Sequence, residues 1–209
     1  MKALKQTVKR LIPKQMQPFA RETWDALGRL KMLPAVTFHP WRRESRRKLA
    51  ALKDIHKGER CFIIGNGPSL QQTDLSRLKG EYTFGMNRFF LAFPELGFQT
   101  SYFLAINDLV VEQSTNEIQS LDMPFFVSWR AQKWLHPVPN LHFLFTTYTG
   151  PCFSKDARGR LWEGATVTYV ALQLAFHMGF KQVVLIGVDH NFATKGERNK
   201  TIVSSGEER

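Results

Sequence analysis

The sequence predicts an α/β protein with a mostly parallel sheet covered by helices on both faces, preceded by a basic helical N-terminal extension. Short apolar runs, which are typical of buried parallel strands, alternate with segments of helical length. A glycine-rich turn follows the first run, and polar residues follow several others. The chain of 209 residues is long enough for one such domain and an extension.

Six apolar runs are predicted to form strands. Along the chain they are 61–64, 82–86, 102–106, 125–128, 142–145 and 183–186. Helices are predicted over 108 to about 121 and over 166–178, where Gly179 is well placed as a stop signal. Asp74 is expected to begin a short helical turn.

The N-terminal extension is predicted to be helical and interrupted by prolines. An amphipathic helix is expected from 19 to 33, a linker from 34 to 40, and a strongly basic helix from 41 to 52. The sequence is accordingly divided into three parts. These are a basic helical extension over 1–57, the α/β domain over 58–193, and a polar tail over 194–209 that has the character of the edge of a longer protein.

The positive charge of the chain is concentrated in this extension. Residues 1–60 contain 16 Lys and Arg against 5 Asp and Glu, whereas residues 61–209 contain 13 of each. An anionic membrane surface contacted through residues 1–50 is the partner that this asymmetry favours. A solvated helix that packs on the domain is the alternative. Nucleic acid ranks lowest because no recognition motif accompanies the charges.

The cysteines and the hydropathy pattern favour a cytoplasmic protein. Cys61 and Cys152 have the spacing of neither a zinc site nor a disulfide framework, and Cys61 is expected to be a buried thiol. No apolar run approaches the roughly 18 residues of a membrane span, and no secretory signal is recognised. Association with the inner face of the membrane would therefore be peripheral.

The turn Gly65-Asn66-Gly67-Pro68-Ser69 is the strongest functional signal. Glycine allows a sharp turn and a close approach of the backbone to a ligand, and exposed amides in such a turn bind phosphate. Asn66 and Ser69 add neutral hydrogen-bonding groups. The turn matches neither GxGxxG nor a Walker loop. The alternative is a plain strand-to-helix turn, because Asn-Gly and Gly-Pro pairs are common in turns.

Polar residues also follow three further strands, so all of them are expected at one crevice at the carboxyl edge of the sheet. Asparagine offers a donor and an acceptor, which suits recognition of a base and a ribose. The alternative is that these residues cap the next helix. The residues are Asn87 after the second strand, Asn107 and Asp108 after the third, and Asp189, His190 and Asn191 after the last.

The remaining candidates lie near the start of the long apolar helix and after the last strand. Thr166 and Thr168 would bring hydroxyls to a helix N-terminus, which attracts phosphate; ordinary capping is the alternative. His190 is the candidate general acid or base because histidine titrates near neutrality, and a structural role is the alternative. Asp189 would hold Mg²⁺ beside a phosphate, although no metal-binding motif is found.

With these residues the chain resembles the MptE-like family and, in the same order, the bacterial sialyltransferases of glycosyltransferase family 42. The resemblance rests on Gly65-Asn66-Gly67-Pro68-Ser69-Leu70, on Met86-Asn87-Arg88-Phe89 and on Leu185-Ile186-Gly187-Val188-Asp189, and it spans roughly 60–192. It implies a Rossmann-like domain that binds an activated nucleotide. In the sialyltransferases the donor is a CMP-sugar, which implies contacts from Asn66, Ser69, Asn87 and Thr166. A tyrosine that holds the leaving phosphate there falls at Asn191 here.

The resemblance implies two functions, and a third hypothesis comes from another class because the region of the sialyltransferase catalytic histidine is missing or reshaped in this chain. The first is sugar transfer from a CMP-sugar-like donor to a glycan acceptor for surface glycan synthesis. The second is ATP-dependent pyrophosphoryl transfer to a small-molecule acceptor, since archaeal members of the MptE-like family are 6-hydroxymethyl-dihydropterin diphosphokinases. Those enzymes typically carry Asp-x-Asp for Mg²⁺ where this chain has Asn107-Asp108. The third is a non-catalytic nucleotide-binding or scaffold domain.

Overall fold

A computed structural model describes Pro13, residues 16–148 and residues 152–189. Seven parallel strands form one sheet in the order β6-β5-β4-β3-β2-β1-β7. The strands are β1 Arg60–Ile64, β2 Tyr82–Met86, β3 Tyr102–Ala105, β4 Phe125–Ser128, β5 Leu141–Thr147, β6 Arg160–Trp162 and β7 Gln182–Ile186. The predicted α/β class with a parallel sheet is therefore confirmed.

Within the described residues, six α-helices and four 3₁₀ helices connect or precede the strands. The α-helices are α1 Gln17–Phe38, α2 Pro40–Ala51, α3 Phe93–Leu96, α4 Asp108–Gln113, α5 Thr115–Gln119 and α6 Val167–His177. The 3₁₀ helices are Pro68–Gln72, Leu75–Leu78, Phe89–Ala92 and Trp129–Lys133. Asp74 caps the second of these, because its carboxylate accepts a hydrogen bond from the backbone N–H of Ser76.

The six predicted strands are all present, and the seventh, β6, was missed. It has only three residues and contains no apolar run, so nothing in its sequence distinguishes it from a loop. The predicted helix over 108 to about 121 is two helices, because Ser114 leaves the helical region with φ −124° and ψ 35°. The long helix is predicted correctly as α6, with Thr166 as its N-cap.

The predicted linker over 34–40 is wrong. Helix α1 continues through Pro34 to Phe38, and His39 alone separates it from α2. Proline in a helix interior removes one hydrogen bond and costs about 3 kcal/mol. Two residues after it, Val36 is buried in the cluster that covers one face of the sheet, with Ala35 packed beside it. Burial of Val36 in this last turn offsets the cost of the proline.

The sheet has an apolar core on each face. On one face α6 packs Val170, Leu174 and Met178 against strand residues such as Phe84 and Leu104. On the other face, the end of α1 and the connections that follow β3 and β4 cover a second cluster. The buried aromatic residues of this cluster are Phe90, Phe103, Phe125, Trp129, Phe143 and Phe145. Both faces of the central strands are therefore out of water, which explains their continuous apolar runs.

Helix α2 covers the part of β5 that the short β6 leaves open. The Oγ atom of Ser45 accepts a hydrogen bond from Phe143 N at 3.0 Å, and Lys48 Nζ donates to Leu141 O at 3.3 Å. The guanidinium of Arg42 is 1% exposed and donates to Arg158 O at 2.8 Å. Burial, and to a lesser degree Arg46, lowers the pKa of Arg42 to about 10. Two of the basic residues in this segment thus satisfy backbone carbonyls.

Cys61 is a buried thiol, as predicted. It lies in the core of β1 and is fully buried, and burial raises its pKa to about 12. Cys152 is exposed, and neither cysteine forms a disulfide. Because the thiolate is the reactive form of cysteine, Cys61 is a packing residue rather than a nucleophile.

We expect His142 to make the stability of the fold depend on pH. Burial lowers the pKa of His142 to about 4, and its Nδ1 atom lies 2.9 Å from Asn140 O. The unfolded chain binds a proton near the ordinary value of about 6.5, so stability is complete above that pH. It is lost progressively as pH falls to about 4, by up to about 3 kcal/mol, since one pKa unit corresponds to about 1.4 kcal/mol. Urea denaturation at several pH values measures this loss.

The variant His142→Gln removes the titrating group and keeps a donor for Asn140 O. Its stability is expected to fall less steeply between these two pH values than that of the wild type. A comparison at pH 8 gives the cost of the substitution itself, because His142 is neutral there in both states. An equal slope in both proteins would contradict the assignment.

Candidate functional site

The carboxyl edge of the sheet collects nearly all of the sequence-predicted site residues that the structure describes. Strand β1 lies between β2 and β7, so the chain order reverses direction at β1. In open parallel sheets, ligands bind at such a reversal, beyond the carboxyl ends of the strands. The loops after β1, β2 and β7 meet there. His190 and Asn191 lie outside the described residues.

The turn after β1 is fastened to the loop after β7. The N–H groups of Gly65 and Gly67 donate to Ile186 O and Gly187 O, each at 2.8 Å. The carboxylate of Asp189 accepts from Ser69 N at 2.8 Å and from Ser69 Oγ at 2.7 Å. The expectation that the amides of this turn are free to hold a phosphate is therefore wrong for these three residues. Pro68, which begins a 3₁₀ helix, has no N–H to offer.

The glycines of this turn are explained by the close approach of the two loops. A Cβ atom on Gly65 would lie 2.2 Å from Gly187 O, and one on Gly67 would lie 2.5 Å from the Oδ2 atom of Asp189. Real side chains do not approach so closely. Of the two interpretations of the turn, the structural one accounts for both glycines without a ligand.

Two asparagines lie side by side after β1 and β2. The Nδ2 atom of Asn66 donates to Met86 O at 2.9 Å, which ties its amide to the residue before Asn87. Asn87 adopts a left-handed conformation with φ 55°, and its N–H donates to Leu104 O at 2.9 Å. Its Oδ1 atom is buried and has no hydrogen-bond donor. Leaving a buried acceptor unpaired costs about 1–3 kcal/mol, so this position is strained.

The cap of α4 and the residue beside it have separate roles. Asn107 is the N-cap of α4, because its Oδ1 atom accepts from Leu109 N at 2.9 Å. Helix capping was the alternative interpretation for both residues, and it holds for Asn107. The carboxylate of Asp108 instead accepts a hydrogen bond from the Nε atom of Arg130 at 3.0 Å. The side chain of Asp108 is thus directed towards β4.

Arg130 joins two carboxylates at the ends of separate strands. Besides Asp108, it pairs with Glu163 through Nη1 and Oε1 at 2.8 Å, and the side chain of Glu163 is only 5% exposed. The ring of Tyr148 lies over the guanidinium at 5.2 Å, and burial raises the pKa of this tyrosine, with Glu163 adding to the effect. Sequence reasoning missed Arg130 and Tyr148. Their place directly after β4 and β5 was the available signal.

The start of α6 completes this edge. The Oγ1 atom of Thr166 accepts from Thr168 N at 3.3 Å, so Thr166 is an ordinary N-cap, as the alternative interpretation held. Thr166 is exposed and Thr168 is nearly buried. The preceding Gly164 and Ala165 are both left-handed, with φ 54° and 62°. These two residues turn the chain sharply before α6, so the N-terminus of this 11-residue helix lies at the same edge of the sheet as Glu163.

The carboxylates at this edge do not fit a magnesium site. Mg²⁺ prefers oxygen ligands such as carboxylates, but Asp108 and Glu163 are both held in ion pairs by Arg130. Asp189 is bonded to Ser69. Within the described residues no group of three or more His, Cys, Asp and Glu side chains is placed to hold a metal ion.

A family profile described as "6-hydroxymethylpterin diphosphokinase MptE-like" matches residues 42–195. The chain belongs to the MptE-like family. A diphosphokinase is a transferase, so membership supports a transferase in general terms. The family match begins within α2, which agrees with the contacts of that helix with β5.

Among solved structures, the MptE-like chain is similar to the MAf glycosyltransferase from Magnetospirillum magneticum AMB-1. The two are 17% identical with a TM-score of 0.47 over 78% of this chain. The similarity covers only 30% of that glycosyltransferase, and its activity is a property of the longer protein. No curated protein sequence matches the chain.

Replacing Gly65 is expected to destabilise the fold. In Gly65→Ala the new methyl group would collide with Gly187 O, and overpacking of this kind costs roughly 1–3 kcal/mol or more. Gly28→Ala is the matched control, because its Cβ meets nothing within 4 Å in the interior of α1. It should stabilise the protein by up to about 1 kcal/mol. Urea denaturation midpoints measure both, and an unchanged midpoint for Gly65→Ala would show that the two loops are not in contact.

Removing Arg130 is also expected to destabilise the fold, for an electrostatic reason. Arg130→Met leaves Glu163 charged and buried, which costs about 3–5 kcal/mol. The double variant Arg130→Met, Glu163→Met should be more stable than the single one, because the buried charge is gone and only the partly exposed Asp108 has lost its partner. Arg158→Met breaks an exposed pair with Asp156 and should cost less than about 1 kcal/mol. Equal losses for Arg130→Met and Arg158→Met would contradict the buried pair.

Proposed function

We propose that this MptE-like chain is a transferase that binds a nucleotide at the carboxyl edge of β1 and β2. It moves a sugar from a CMP-sugar-like donor to a glycan acceptor for surface glycan synthesis. Family membership supports a transferase, and the observation that carries the rest is the buried, unpaired Oδ1 atom of Asn87. A strained residue with an unsatisfied acceptor, on the strand next to the point where the sheet order reverses, has the features of a ligand contact.

The chemistry of this position suits the neutral part of a nucleotide. An amide oxygen accepts hydrogen bonds from the exocyclic amino group of a base or from a ribose hydroxyl. Asn66 is bonded through its Nδ2 atom to the backbone beside Asn87, which leaves its amide oxygen as a second acceptor for the ligand. Two neutral acceptors recognise the nucleoside without a compensating charge.

We assign to the N-terminus of α6 the role of stabilising the negative charge of the leaving nucleotide. Since the amides of Gly65, Gly67 and Ser69 are occupied, we choose the N-terminus of α6, which attracts an anion through its dipole. The exposed Thr166 adds a hydroxyl there. Developing negative charge on the nucleotide phosphate would be stabilised electrostatically by these groups.

In the transfer, the hydroxyl oxygen of the acceptor forms a bond to the anomeric carbon of the sugar. The bond between that carbon and the phosphate oxygen breaks, and the nucleotide leaves with the electron pair. The proton of the acceptor hydroxyl passes to a base, for which His190 is the predicted group. Asp189 acts as a positioning residue, because its carboxylate holds the turn at Ser69.

The description of the family favours a second candidate, ATP-dependent pyrophosphoryl transfer to a pterin-like acceptor. That reaction in general uses Mg²⁺ to neutralise the phosphates. The two carboxylates at the edge are paired with Arg130, so metal binding would require their release. This cost places the diphosphokinase second.

Calorimetric titration of the chain with CMP, UDP, GDP and ATP, each with and without Mg²⁺, tests both candidates. We expect CMP to bind without Mg²⁺, and Asn87→Gly to weaken binding about 10-fold or more, since it removes the amide. Glycine accepts the left-handed backbone, so the variant should fold at least as well as the wild type. Asp54→Gly is the control. It replaces another left-handed residue, with φ 57°, which precedes β1 and so lies at the amino edge of the sheet, away from Asn87; the affinity for CMP should be unchanged.

Absence of binding by every nucleotide at millimolar concentration would reject nucleotide dependence. Binding of ATP alone, dependent on Mg²⁺ and followed by AMP release, would establish the diphosphokinase instead. Nucleotide binding with neither donor hydrolysis nor transfer would leave a binding domain.

A further inference from the structure

Helix α1 exposes a row of large apolar side chains. Six large hydrophobic side chains along this helix are 43–74% exposed. They are Phe19, Trp24, Leu27, Leu30, Leu33 and Phe38. Single exposed apolar residues are ordinary on a protein surface, but a contiguous row of this length indicates a surface that is covered by something else.

The polarity of this helix is the reverse of that expected for a surface helix. At 100° per residue, Leu27 and Phe38 lie on the side opposite to Val36, which is the buried residue of α1. Met32 and Ala35 pack towards the sheet with Val36. A helix that packs on a domain normally directs its polar side to water. Here the outward side holds leucine and aromatic residues, so water is not its natural environment.

The apolar surface extends from the helix onto the edge of the sheet. A hollow of about 320 Å³ lies between α1 and strands β5 and β6, and Leu30 and Leu33 form one wall. Phe145 and the stem of Arg160 lie opposite them. The surface is therefore wider than one helix and belongs to the folded domain.

We propose that α1 docks in the plane of an anionic membrane surface, with its outward side in the interface. An interfacial helix of this kind combines an apolar side of leucine and aromatic residues with nearby basic residues. Residues 1–60 contain 16 Lys and Arg against 5 Asp and Glu. Arg43 and Arg46 of the adjoining α2 are exposed. Among the described residues no helix is long and apolar enough to cross a membrane, so α1 lies along the surface.

Charge favours lipid over a second copy of the chain as the occupant. Residues 61–209 contain 13 basic and 13 acidic residues, so they offer no acidic surplus to attract the basic segment of another copy. An anionic lipid surface supplies both the negative charge and the apolar layer. This docking does not depend on the reaction that the chain catalyses.

Flotation of the full 209-residue chain with vesicles tests the proposal. We expect binding to vesicles of phosphatidylcholine mixed with phosphatidylglycerol, and about 10-fold weaker binding to phosphatidylcholine alone. The triple variant Trp24→Ser, Leu27→Ser, Leu30→Ser should bind mixed vesicles at least about 10-fold more weakly, because it removes the apolar side. Since these side chains are exposed, its circular dichroism and urea midpoint should match the wild type.

The control is Leu91→Ser, Leu109→Ser, which replaces two leucines that are 62% and 63% exposed elsewhere on the surface. It should bind mixed vesicles as the wild type does. Equal binding by the triple variant and the wild type would overturn the proposal, as would failure of the wild type to bind mixed vesicles. A dimer in light scattering that the triple variant dissociates, together with absent vesicle binding, would identify a second copy as the occupant.

Discussion

The contact between the loops after β1 and β7 is the constraint on which the carboxyl edge depends. Strands adjacent in the sheet but more than a hundred residues apart in sequence end side by side, and glycines 65 and 67 let their loops touch. The carboxylate of Asp189 then closes the turn at Ser69. This arrangement uses the amides that a phosphate would need, so the ligand contacts that we propose fall on neighbouring side chains. Asn87, at the end of the next strand, is left with an unsatisfied acceptor.

The opposite half of the same edge is organised by charge rather than by backbone. Arg130 links the ends of β3, β4 and β6 through Asp108 and Glu163. A buried pair of this kind is costly to break, and its net contribution to stability is small, so its value is in fixing positions. It holds Glu163 at the entry to α6, where a helix N-terminus lies at the carboxyl edge of the sheet. Neutral groups on one side and a helix dipole on the other suit a nucleoside and its phosphate.

The basic N-terminal segment has two roles that its composition alone does not separate. Lys48 donates to a backbone carbonyl of β5 and Arg42 to one just before β6, so both help to cover the edge that the short β6 leaves open. Arg43 and Arg46 remain exposed beside a helix whose outward side is apolar. This second pair is thus available on the surface. The charge surplus is thus partly structural. The remaining exposed basic residues would supply the positive charge for the proposed membrane contact of α1.

The sequence by itself determined six of the seven strands, the parallel class and the collection of polar residues at one edge. This was possible because a buried parallel strand is a continuous apolar run and because the carboxyl ends of such strands meet. Only the tertiary structure decided that α1 passes through Pro34, since burial of Val36 outweighs the local preference of proline. It alone paired Ser69 with Asp189 and Arg130 with Glu163. Those partners are separated by 120 and 33 residues, and no local pattern links side chains that chain folding brings together.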